Sequence, residues 1–193
     1  LTSNQVGSIT TANLAVMETR DVAAFTSANI AVLTSVQIGA LTTDQIVALT
    51  TEQIGAVTSS ALGGLSTAQI GAIETRDLVN LTSANVAALS SVQVVAITTA
   101  QIGSLTSAQV VAIESGDVSA LTTDQIASLT TGDLNSFTTA QIAALTSAQA
   151  AALTTAQIAN LTTDDVASLS TAALRALSTA QLAALTTDPL PTL

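Results

Sequence analysis

Mixed charge concentrates at two places along this chain, and they are copies of one another: Glu18-Thr19-Arg20-Asp21 and, 56 residues later, Glu74-Thr75-Arg76-Asp77. Two carboxylates beside a guanidinium could hold an ion or a small charged ligand. The competing reading is structural, because acids in the first turn of a helix interact favourably with its positive end. The other acids, such as Asp44, Asp124, Asp164, Asp165 and Asp188, lack the Asp-rich, Gly-containing spacing of calcium loops and read as a solvated face. With no His and no Cys, the chain lacks imidazole and thiolate. No Ser or Thr has a candidate base nearby in sequence. The sequence therefore assigns no catalytic, cofactor-binding or metal-ligating residue and argues against an enzyme.

Charge also bears on partners. Thirteen acids against three basic residues give a net charge of −10, which opposes nucleic-acid binding, since that affinity rests on cations displacing counterions. A Thr/Ser pair interrupts the apolar residues every eight positions, so no membrane-spanning helix is expected. The chain opens at Leu1, already the last position of a repeat, and reads as a segment of something longer.

The elements that must position these side chains follow from the repeat. After Leu1, 24 octads run without insertion or deletion from Thr2–Ile9 to Thr186–Leu193. Position one is Thr or Ser in 21 of them and Glu in three, at Glu18, Glu74 and Glu114. Position two is always Thr or Ser, and position four is mostly Gln, with Asp or Asn in several copies. Position five is aliphatic, position eight is large and apolar, and positions six and seven are mainly small.

These offsets match the start of a helix. In Leu153-Thr154-Thr155-Ala156-Gln157-Ile158, Thr154 can cap while Gln157 reaches back to its amide, and Leu153 and Ile158 are spaced as a hydrophobic staple. One match is common by chance; recurrence in strict phase is not. A single unbroken helix would rotate its apolar stripe by about 80° per octad and face no partner. In a strand, positions five and eight would point to opposite faces. Short helices covering roughly positions two to eight place both on one face.

An isolated octad is too short to hold a helix alone, so each must lean on its neighbours. The predicted fold is all-α, a solenoid of 24 short helices, one per octad; residues 1–185 form the octapeptide-repeat solenoid and 186–193 are a Pro-containing terminal repeat or the start of a linker. Pro189 and Pro191 mark that end. Gly39, Gly55, Gly63, Gly64, Gly71 and Gly103 occupy the small positions, where close approach of backbones is expected. The Glu octads fall seven and then five repeats apart, which fits no constant number of octads per turn.

Two resemblances add to this reading. Leu105-Thr106-Ser107-Ala108-Gln109-Val110-Val111-Ala112-Ile113 resembles the opening of a TAL-effector repeat, but only over the helix start, and DNA binding is not carried over. Across its length the chain resembles Ala/Thr-rich octapeptide tracts of very large bacterial surface or secreted proteins. That resemblance implies an extracellular or cell-surface spacer or fibre. The expectation is a structural protein that self-associates through solenoid surfaces or ends. The alternative is an adhesin-like module recognising a glycan, ice or a partner protein.

Overall fold

A computed structural model describes residues 1–185, and among them it contains 23 short α-helices and no strand. The octad at 186–193, with Pro189 and Pro191, lies outside the described residues. The chain forms two compact units, Leu1–Ser104 and Leu105–Leu193. The first holds α1 (Ser3–Gly7), α2 (Thr11–Val16), α3 (Thr19–Ala23), α4 (Ser27–Ala31), α5 (Ser35–Gly39), α6 (Thr43–Val47), α7 (Thr51–Gly55), α8 (Ser59–Leu62), α9 (Thr67–Ala72), α10 (Thr75–Leu78), α11 (Ser83–Ala87), α12 (Ser91–Ala96) and α13 (Thr99–Ile102). The second holds α14 (Ser107–Ala112), α15 (Ser115–Ala120), α16 (Thr123–Ser128), α17 (Thr131–Asn135), α18 (Thr139–Ala143), α19 (Ser147–Ala152), α20 (Thr155–Ala159), α21 (Thr163–Ser168), α22 (Thr171–Ala176) and α23 (Thr179–Leu185).

Each helix begins at position two, as the capping pattern requires, but nearly all stop before position eight. After α14, for example, the Ile113 amide bonds three residues back to the Val110 carbonyl at 3.2 Å, and Ile113 itself is extended, with φ −64° and ψ 124°. The following N-cap is extended as well. Two consecutive extended residues thus turn the chain between helices. Among the described residues no backbone takes a positive φ, so Thr, Leu and Ile can occupy the corner without strain and no glycine is needed there.

Within each unit, every helix packs against the third helix along the chain. In the first unit this gives three stacks: α1, α4, α7, α10 and α13; α2, α5, α8 and α11; α3, α6, α9 and α12. In the second, the stacks are α14, α17, α20 and α23; α15, α18 and α21; α16, α19 and α22. Each unit is therefore a solenoid with three octads per turn. Positions five and eight form its interior: Ile38 and Leu41, or Ile142 and Leu145, are almost wholly buried. Among the described residues no helix is long and apolar enough to cross a membrane.

Candidate functional site

The polar residues of the repeat do most of their bonding inside the protein. At a regular corner, the Thr154 hydroxyl accepts the Gln157 amide at 3.1 Å, and Gln157 Oε1 accepts the Thr154 amide at 2.8 Å. This is the expected capping box, and Leu153 and Ile158 beside it are both buried.

The sequence reasoning missed the other half of the glutamine. Gln157 Nε2 donates to the Ile126 carbonyl at 2.9 Å and to the Leu129 carbonyl at 2.8 Å, four octads back. Gln149 does the same to Val118 and Leu121, each at 2.7 Å. In the first unit Gln45 reaches Leu14 and Met17, and Gln93 reaches Leu62 and Leu65. A helix this short leaves its terminal carbonyls without intrahelical donors, and buried carbonyls need partners. One buried amide group therefore completes the start of its own helix and the end of a helix from another turn. The signal was present in the sequence: position four is never Glu, although Glu serves a capping box as well as Gln does. Of the two, only the amide of Gln both accepts and donates, whereas the Glu carboxylate only accepts.

Position four is Asp in some octads, and in two of them a hydroxyl from another turn meets the carboxylate. Asp77, 2% exposed, accepts from Thr51 Oγ1 of the third octad back, and Asp133 accepts from Ser107 Oγ at 3.3 Å. Asp165, expected on a solvated face, is instead buried at position four and accepts the Thr162 amide at 3.0 Å. Asp44, Asp124 and Asp164, at position three, are exposed; Asp188 lies outside the described residues. Ala61 leaves its octad without a capping-box partner for Thr58 and without an inter-turn amide.

The duplicated charge motif is not brought together. Glu18 lies before α3 and Glu74 before α10, in different stacks. Their side chains make no cap hydrogen bond, so the structural reading of this motif does not extend to Glu as a helix cap. Glu18 pairs with Arg20 at 2.8 Å, and Glu74 pairs with Arg76. Both arginines are largely exposed, and such pairs contribute little. Among the described residues no group of three or more acids, His or Cys is placed to hold a metal ion.

The glycines divide. A Cβ on Gly39 would overlap the Gly64 carbonyl oxygen, and one on Gly64 would overlap the Ser35 carbonyl, so both mark a close approach of α5 to the end of α8. Gly55 and Gly71 are tight, each with a carbonyl 3.3–3.4 Å from the added atom, whereas Gly63 has ordinary room. Around this contact lies a shallow open groove of about 610 Å³, lined by residues including Ser35, Val36, Ala40, Ser60 and Gly63.

The family model for the ALTTAQ repeat matches residues 14–51, 70–107, 104–131, 110–146, 126–163 and 158–193. No curated protein matches the chain. The stretch left between the first two matches includes Thr58–Leu65, the octad with Ala61 and the Gly63-Gly64 pair. With the capping glutamines, the octad phase and these matches over most of its length in agreement, the chain belongs to the ALTTAQ repeat family.

Proposed function

We propose that this chain is a structural repeat segment, a scaffold, stalk or polymer subunit of a bacterial surface or extracellular fibre, with no catalytic activity of its own. The observation that carries this reading is the inward use of polar chemistry. Nearly every position-four side chain is buried, and the glutamines seal one turn of the solenoid to another. Cap hydroxyls are engaged too: Thr34 accepts the Gln37 amide at 3.3 Å and donates to Gln37 Oε1 at 3.0 Å. Such a surface offers packing more than recognition. The alternative, a module binding a glycan, ice or a partner protein, draws on the groove beside Gly39 and Gly64.

Negative-stain microscopy over a range of concentrations, paired with glycan-array and ice-affinity assays, separates the two. Concentration-dependent assemblies support the scaffold. Discrete particles with saturable ligand binding overturn it.

A further inference from the structure

With three octads per turn, the charged residues sort by side in a way the linear sequence conceals. In the first unit, the stack of α3, α6, α9 and α12 carries Glu18, Arg20, Asp21 and Asp44, and the stack beginning with α1 carries Glu52, Glu74, Arg76 and Asp77. The octads of α2, α5, α8 and α11 carry no charged residue at all. The second unit repeats the arrangement. Glu114, Asp117, Asp164 and Asp165 lie on one stack and Asp124 and Arg175 on another, while the octads of α14, α17, α20 and α23 hold only Asp133, which is buried.

We infer that the uncharged side of the first unit is a surface for lateral pairing with a second copy of this chain. This deepens the scaffold reading above, on which it rests, by naming the face. Two copies that each carry a net charge of −10 repel one another, and in the first unit contact through either charged stack brings together an excess of acids over arginines. The uncharged side is where they meet without that cost. In the first unit the same side carries an exposed valine at the edge of a shallow groove. Val36 on α5 projects with 70% of its surface exposed, and the groove around Gly39, Gly63 and Gly64 recedes beside it. A two-fold arrangement lets the valine of each copy enter the recess of the other.

The repeat supplies a matched test. Val36 and Val92 both occupy position three of a Ser-Val-Gln octad and are 70% and 67% exposed, but Val92 lies on the charged stack of α12. Acids already stand at position three in Asp44, Glu52 and Asp124, so a glutamate there is compatible with folding. Sedimentation equilibrium of the 193-residue chain at low and high salt should show reversible pairing that tightens as salt screens the repulsion. Val36→Glu should weaken pairing at least about tenfold, because each interface would bury unpaired charge. Val92→Glu, with the same net charge, should change it less than about twofold.

Equal loss in both variants, pairing that weakens with salt, or a monomer at every concentration overturns the inference. Retention of monomeric chain on ice or a glycan, abolished by Val36→Glu, also overturns it and assigns the face to that ligand. Assemblies that survive Val36→Glu overturn the chosen face and leave the scaffold reading standing, whereas a monomer with a saturable ligand ends both.

Discussion

The side-chain nitrogen of Gln45 lies 2.8 Å from the carbonyl oxygen of Met17, 28 residues earlier, while its side-chain oxygen lies 2.7 Å from the amide of Thr42. One residue thus joins the start of its own helix to the end of a helix from another turn.

Replacing Gln45 by Glu keeps the acceptor for the Thr42 amide but removes the donor and sets a carboxylate against the Leu14 and Met17 carbonyls. The expected loss is about 2–4 kcal/mol. Urea unfolding should show a lower midpoint for Gln45→Glu than for Gln45→Met, which adds no charge. If neither variant unfolds at a lower midpoint than the parent, the inter-turn bond does not contribute.

Asp77 is met by a hydroxyl from another turn instead. Thr51→Val should cost about 1–3 kcal/mol, because it strips a donor from the buried Asp77 carboxylate. Thr51→Ser should restore most of it in thermal unfolding, since Ser retains the donor.

Two glycines should respond with opposite signs. Gly39→Ala forces a methyl group into the Gly64 carbonyl and should lower stability by about 1–3 kcal/mol. Gly116, inside α15 with nothing near its added Cβ, should gain about 0.5–1 kcal/mol on substitution by Ala. Urea titrations of both variants against the parent give the two values.

Glu18 and Glu114 stand at N-caps without capping. Glu114→Thr should add about 1 kcal/mol by supplying the hydroxyl the corner lacks. A Glu18→Thr variant should gain nearly as much, because the Arg20 pair it loses is exposed. Unchanged melting temperatures in both would show that these corners are satisfied by other means.

The octad fixed its own local structure. Thr at position one and Gln three residues later are a cap and its reciprocal partner, and the flanking aliphatics at positions eight and five are spaced to close the bend; each of these interactions spans a few residues and is readable in order. The family resemblance, the all-helical solenoid and the apolar interior followed from that. Helix length did not, because position eight is extended by the corner it enters.

Tertiary structure decided how many octads make a turn. That number depends on how one short helix packs on another, as with Gly39 against Gly64, and no local pattern encodes it. Once it is three, the second role of Gln45, the burial of Asp165 and the charge-free side around Val36 all follow. Each concerns residues brought together by a full turn of chain, where periodicity along the sequence carries no distance information.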